Sequence, residues 1–546
     1  MPRRQRPQSL KHLCLRNMAA NMKDVWAKDY TDNYLSEYHF LYLVGPFNDL
    51  ASDLVQDLLQ LLGKTRRLTR AFLHLLLVPH LLELSLRSCS GLVNNTISWI
   101  ISARCQGLTS LDLHGCSRIQ PHALVDLVEC LPRLRRLMLS GTQCNGRVLL
   151  AVGQGCGDLQ ELDVSRCREV TPLDLLQLVY DRARAAFRLL RLRRLLAEDT
   201  SPLPSPSDYA SALAFLLLAL PGLEYVANPH LPEALTLICQ QHFEKGRDFL
   251  RTGGFPGLAE LARCGVQAGS PASLSLRRLE VASGHSLCAL TSTCRAVEEV
   301  VVACDGGLQE LWHLGSWERL SRLALECEGF QERLLGDVTP FLAQFGSRLR
   351  LLSLINFQLE SSLGDVLRLC PNLRVFQAEL HPPTGTLKCV PIDEEAEAQQ
   401  EAEAEADLPS ASWTFLHLKD FSVRLADSPL TAASLPRSSQ LSLQSALISV
   451  LTGSPQLGRL SLVNIPVSLD RVFQPVLERP GSLAQLTELS LAHSVVSSST
   501  IGQLMAADNE MSTLDLRYCQ HIHRRHYDRF VKEAAKSNYD LQIHWE

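Results

Sequence analysis

The chain of 546 residues lacks most of the features that announce a function class. Aromatic residues make up only 6% of it, so a large core has to be built from aliphatic side chains. Neither sign of charge dominates: 53 basic and 58 acidic residues leave a net of −5, without the basic excess of a nucleic-acid binder. No apolar run reaches the ~20 residues a bilayer span requires. The longest pure one, Ala212 to Leu220, is too short. The basic start, Met1 to Arg6, is followed by no apolar stretch of the kind a secretory leader carries. There are 17 cysteines, but no two are spaced C-x-x-C, which removes the common zinc and thioredoxin patterns. A Gly-rich phosphate loop, G-x-S-x-G and H-E-x-x-H are also missing. These absences predict reduced thiols in the cytoplasm or nucleus, a chain that is not itself an enzyme, and no cofactor, metal, membrane or nucleic-acid partner.

What the sequence does contain is a repeat. The template L-x-x-L-x-L-x-x-C occurs as Leu81, Leu84, Leu86, Cys89 and again as Leu108, Leu111, Leu113, Cys116. A third copy is Leu134, Leu137, Leu139, Thr142, and a fourth is Leu159, Leu162, Val164, Cys167. The successive intervals are 27, 26 and 25 residues. The alternating fourth and sixth positions lie on one face of a short strand, and the rest of each unit has helical spacing, as in Ala123, Leu124, Leu127 and Val128. One strand and one helix cannot bury their own apolar faces; stacked copies can. The pattern is that of an α/β leucine-rich-repeat solenoid, with a parallel concave sheet and convex helices. The ninth-position cysteines are then small buried residues. Further copies start at Leu223, Leu276, Val297, Leu320, Leu349, Leu373, Leu418, Leu457, Leu486 and Met511, about 14 units in all.

The organisation follows from where the pattern holds. Residues 1–75 precede the repeats; 76–180 form a regular block; 181–222 are a break; 223–390 are a looser block; 411–520 resume it; and 521–546 cap the end. The break opens with six arginines between Arg182 and Arg194, which read as the solvated face of an amphipathic helix. A Pro/Ser loop follows, from Ser201 to Ser207. Residues 391–410 hold eight acidic and no basic side chains and read as a disordered loop. Arg524 to Asn538 predicts a capping helix. Cys519, His521, His523 and His526 have ligand chemistry but no second pair to close a metal site.

Ahead of the repeats, Leu10, Cys14 and Met18 are spaced i, i+4, i+8 and share one helix face, with Leu13 beside them and Ser9 placed to cap. This stripe resembles the BC-box of elongin BC/cullin–RING ubiquitin ligase receptors, whose pattern is Ser/Thr/Pro-Leu-x-x-x-Cys-x-x-x-aliphatic. Downstream, Leu50, Ala51 and Leu54, with Leu58 one turn on, resemble a cullin box within residues 47–59, although Ala51 stands where that motif has Pro. The order of parts is similar to that of PRAME-type and other repeat-bearing elongin-binding receptors. The resemblance implies that Ser9, Leu10, Leu13, Cys14 and Met18 bind elongin C, with elongin B behind it. It also implies that Leu50, Leu54 and Leu58 meet cullin-2 or cullin-5 with its RING subunit, and that the solenoid holds a protein substrate. An F-box-like receptor for Skp1 and cullin-1, or a scaffold or inhibitor without a ligase, are the alternatives. The expected substrate face comprises Arg87, Asp112, His114, Arg136, Met138, Glu161 and Asp163. The aromatic residues Trp26, Tyr30, Tyr34, Tyr38, Phe40, Tyr42 and Phe47 read as a local core that docks the module on the first repeat.

Overall fold

The computed structural model describes residues 2, 9–28, 45–201, 205–244, 247–265, 273–281, 287–304, 308–327, 333–359, 363–382, 414–426, 437–479 and 481–546. The acidic segment 391–410 and five of the aromatic residues, Tyr30, Tyr34, Tyr38, Phe40 and Tyr42, lie outside them. The chain divides into two units, one of residues 8–279 with 288–297, the other chiefly of residues 298–546.

The first unit opens with helices α1 (Leu10–Ala20), α2 (Ser52–Lys64) and α3 (Arg70–Leu76). Four repeats then supply strands β1 (Glu83–Ser85), β2 (Ser110–Asp112), β3 (Arg136–Met138) and β4 (Glu161–Asp163). Their registers are parallel, so that Leu84, Leu111, Leu137 and Leu162 fall in one row, each no more than 1% exposed. Between strands run α4 (Asn95–Arg104), α5 (Pro121–Glu129), α6 (Gly146–Gly155) and α7 (Pro172–Val179). The sequence starts these helices deliberately. Asn94 and Asn145 accept from backbone N–H groups of the first turn, Thr171 forms a capping box with Asp174, and Pro121 and Pro172 occupy the first helical position.

The arginine-rich break is not a helix. Tyr180–Asp181 (β5) and Ala186–Phe187 (β6) form a small antiparallel hairpin around Asp181, whose carboxylate accepts from Ala183 and Arg184 backbone N–H groups and pairs with Arg188. Arg194–Leu196 (β7) then pairs with β4, and Tyr225–Ala227 (β8) pairs with β7. The six-stranded sheet therefore runs without interruption through residues 181–222. Leu192, Leu195 and Ala197, all 0% exposed, are the template leucine positions of a unit that the arginine density concealed. Behind it, the apolar run from Ala212 lies in the helix Pro206–Ala219, buried on nearly every side, and ends at its C-cap Leu220.

Strand β9 (Arg278–Val281) comes next in the chain, and in the second unit β10 (Glu299–Ala303), β11 (Arg322–Glu326), β12 (Leu351–Gln358), β13 (Val375–His381), β14 (Asp420–Leu425), β15 (Arg459–Val463), β16 (Glu488–Ser490), β17 (Thr513–Asp515) and β18 (Gln542–His544) follow in chain order in one sheet. Every repeat start read from the sequence precedes a strand, and β7 and β18 are additional. The predicted end helix is present at Arg524–Lys536, but it is followed by β18 rather than closing the array. Parallel strands one per unit, with the buried leucine rows and intervening helices, make the fold a leucine-rich-repeat solenoid.

After several of the strands the chain turns sharply through a residue with positive φ. Gly115 (+74°) and Gly141 (+68°) do so without strain, while Arg166, Asn356, Asn464, His493 and Tyr518 fill the same place in other units. An added Cβ at Gly141 meets nothing closer than 3.7 Å, so its requirement is conformational alone. Gly141→Ala is expected to cost about 1 kcal/mol, and Leu137→Ala, in the buried row, about 3 kcal/mol. Chemical denaturation of the two variants checks this order; equal losses would refute the role assigned to the turn.

Candidate docking helix and sheet face

Helix α1 begins where the Ser9 hydroxyl accepts the His12 backbone N–H at 3.2 Å. It turns Leu15 and Ala19 inward, and Met22 follows them into the core. Lys11 orients it on α2 through Asp57 at 2.8 Å and Asp53 at 3.5 Å; these carboxylates raise the Lys11 pKa above its ordinary value. The opposite face is apolar and open. Leu10 is 77% and Leu13 48% exposed, Cys14 is exposed, and Met18 is half-buried. The four side chains named from the sequence therefore lie along the solvent side of one helix. Val25, 61% exposed just beyond it, adds apolar surface that the motif did not mark.

The second predicted surface is only partly available. Leu50 and Leu54 are half-buried at the start of α2, and Ala51 is its N-cap residue. Leu58 is 0% exposed, so its side chain offers a partner no surface, and the expectation that it contacts a cullin is corrected. With Val55, Leu59 and Leu62 it forms the inward stripe of α2. Among the described aromatics, Phe47 is buried and Trp26 packs on it at 5.7 Å between ring centroids. The module is tied to the first repeat by the His80 Nε2–Leu50 carbonyl contact at 2.6 Å and by the Leu82 N–H, which donates to the Ser52 hydroxyl at 3.3 Å.

On the sheet of the first unit, Arg136 is exposed and Met138, Glu161, Asp112 and Asp163 are half-buried. Arg87 and His114 lie past the strand ends, in the turns, which moves them off the strand positions expected for them. Ser140 and Ser165, which continue the same alternation past β3 and β4, are buried. Asp112 and Asp163 are largely engaged within the chain. Their Oδ1 atoms accept the backbone N–H groups of His114 at 3.0 Å and Ser165 at 2.9 Å, and Asp112 Oδ2 accepts the Ser85 hydroxyl at 2.8 Å. Arg136 reaches over β2 to Glu83 at 2.7 Å. At the far end of the second unit, Arg517 grips Asp515 through two bonds of 2.9 and 2.7 Å.

Most described cysteines serve the core. Cys105, Cys116, Cys156 and Cys370 are pushed up to about 12 by burial, and Cys89 and Cys519 to about 11. Among the described residues no cluster of three or more His, Cys, Asp or Glu side chains could hold a metal, and no helix is long and apolar enough to cross a membrane.

No family model matches the chain. It is 35% identical over 88 residues to F-box/LRR-repeat protein 4 of Bos taurus, a match of 16% of this chain and 14% of that protein. It is 25% identical over 159 residues to F-box only protein 41 of Mus musculus and of Homo sapiens, covering 28% of this chain and 18% of each relative. The chain thus matches less than a fifth of the length of these curated relatives. Among solved structures, a leucine-rich-repeat protein of Leptospira interrogans aligns with 85% of this chain and 95% of its own at a TM-score of 0.33 and 14% identity. An internalin of Listeria monocytogenes aligns with 76% of this chain and 81% of its own at 0.31 and 12%.

The exposure pattern generates a direct chemical test. Iodoacetamide at neutral pH is expected to modify Cys14, Cys130 and Cys288, the exposed thiols among the described cysteines, well before Cys105, Cys116 or Cys156. Peptide mapping over time checks this; early labelling of the buried set would contradict the packing of the repeat.

Proposed function

We propose that the protein is a substrate-recognition subunit of an elongin BC-type cullin–RING ubiquitin ligase, acting in the cytoplasm, the nucleus or both. The observation that carries this reading is the exposed apolar stripe of α1. A helix that spends Leu15, Ala19 and Met22 on its own core yet leaves Leu10, Leu13 and Cys14 in water presents a narrow surface for another chain. In this reading Leu10 and Met18 are the anchors on elongin C, and Cys14 allows close approach between them. The capped N-terminus, through Ser9, holds Leu10 in helical register. Fully burying a side chain such as Leu10 is worth about 2 kcal/mol, and a stripe of four supplies a small interface with a few strong contacts. Leu50 and Leu54, half-exposed on the neighbouring helix, are the residues left to meet cullin-2 or cullin-5. The repeat sheets hold the protein to be modified. The chain itself is not an enzyme: ubiquitin transfer belongs to the RING subunit and its partners.

A second reading has its own support. The curated relatives carry F-box names, which favour a receptor that uses Skp1 and cullin-1. Both readings make the repeats a substrate holder and differ in which adaptor the N-terminal module grips. Affinity purification of the full chain from cells decides between them. The expected result is recovery of elongins B and C, reduced at least tenfold by Leu10→Ser combined with Cys14→Phe. Recovery of Skp1 instead, or elongin binding unchanged by the double substitution, would overturn the elongin reading. Thermal unfolding of the variant separates lost docking from lost folding.

A further inference from the structure

The entry edge of the first sheet carries a charge pattern that the repeat does not need. Unit three reads Arg133-Leu-Arg-Arg136 and unit five reads Arg191-Leu-Arg-Arg194, at identical template positions around the buried Leu134 and Leu192. Unit four, between them, has Asp158, Gln160 and Glu161 in the same places. Strand pairing sets Arg136, Glu161 and Arg194 side by side, so this row and that of Arg133, Asp158 and Arg191 read basic, acidic, basic, while Gln160 interrupts the row between them without charge. The carboxylates near these rows are already engaged. Glu83 pairs with Arg136, Asp158 with Arg191, Glu161 with Arg194 at 3.5 Å, and Glu224 with Arg193 at 3.4 Å. The Arg194 guanidinium also lies 5.5 Å from the centre of the Tyr225 ring.

Two arginines remain. Among the described residues Arg133 and Arg135 make no ion pair, both are exposed, and the neighbours of Arg135 along its row are Thr109 and Gln160, which carry no charge. Buried leucines on either side and backbone bonds hold their section of chain: the Arg135 N–H donates to the Thr109 carbonyl and the Gln160 N–H donates to the Arg135 carbonyl, each at 2.8 Å. The surplus positive charge of the sheet edge is thus concentrated at unit three, on a rigid element.

We propose that this edge docks an Asp/Glu-rich segment of a partner protein, which in the ligase reading is the acidic segment of the substrate. Arg133 and Arg135 each take a carboxylate through the planar guanidinium fork. Gln160 offers hydrogen bonds to the segment's backbone, and the Thr109 hydroxyl, which donates to the Leu82 carbonyl at 3.0 Å, can accept one. The occupied carboxylates Asp158 and Glu161, a strand spacing of about 4.8 Å away, work against a continuous phosphate backbone. They leave room for discrete acidic side chains over unit three.

The test uses the full chain and a short fluorescein-labelled Asp/Glu-rich peptide, with a Ser/Gly peptide of the same length as reference. Anisotropy should show binding of the acidic peptide alone, weakened as salt rises. Arg133→Glu with Arg135→Glu should weaken it about tenfold or more, while Arg147→Glu, an exposed charge reversal on α6, should leave it unchanged. Preserved far-ultraviolet circular dichroism shows that the double variant is folded. The proposal is overturned if the acidic peptide fails to bind, if the two reversals weaken binding equally, or if oligothymidylate or a phosphopeptide of neutral sequence binds more tightly than the acidic peptide. Because the assay contains no elongin, its failure leaves the adaptor reading standing, and loss of elongin binding leaves this result standing.

Discussion

The structure depends on one recurring interaction: the carbonyl groups at the end of each strand must be satisfied by the units on either side, the backbone N–H of the preceding one and a side chain of the one that follows. Part of this is the backbone ladder, in which Leu113 N–H donates to the Met138 carbonyl and Leu139 N–H to that of Asp163. The rest comes from a small side chain just beyond the next strand. The Cys167 thiol reaches the Leu139 carbonyl at 3.2 Å, and the Cys519 thiol reaches that of Leu491 at 3.1 Å. Where the residue changes to serine the bond persists, as Ser494 donates to the Leu462 carbonyl; one residue earlier, at the turn position, the Asn356 and Asn464 side chains donate to the carbonyls of Cys327 and Leu425. The common requirement is a compact donor in a dry position, since an unsatisfied buried carbonyl costs about 1–3 kcal/mol. A cysteine meets it with little desolvation cost. This explains a chain rich in cysteine whose described thiols are so often buried.

That constraint also decides what could be read from the sequence. The leucine rows and the ninth-position residue are set by neighbours in identical surroundings, so they repeat and are legible. The residues between them face water and vary freely. The stretch Arg182 to Arg194 therefore reads as helical by charge, although Leu192, Leu195 and Ala197 keep the strand positions. Charge density carried no information there because those arginines project from the sheet edge. Strand β18 was missed for a different reason. Its central Ile543 is the one template position retained and is only half-buried.

The site was legible to a similar, partial degree. A four-residue spacing identifies one side of a helix but not which side its neighbours cover. For α1 the motif residues proved to be on the open side, because Leu15 and Ala19 form the packed one. For α2 the same spacing ran across the boundary. Each step of four residues advances about 40° around the helix, which carries the line from half-exposed Leu54 to fully buried Leu58. Likewise, alternation marked Asp112 and Asp163 as face residues, whereas the turn that follows each strand uses their carboxylates internally. The side chains free for recognition are those the repeat has no use for, and they become visible only once its own hydrogen bonds are assigned.

The two surfaces then differ in how they are held. Around unit three the sheet edge is fixed by bonds on both sides of the strand, so its arginines sit on a held platform. Helix α1 is held by a few inward residues and by the exposed Lys11 pairs, which contribute little individually. In the proposed reading, a helix so lightly anchored would settle its final angle on the partner that covers Leu10 and Cys14. The rigid face can discriminate among ligands by charge spacing, while the lightly held helix can accommodate a conserved adaptor at small cost in strain. A solenoid that joined the two would therefore place selectivity in the sheet and adaptability in the module, and substitutions on one would leave the other's binding intact.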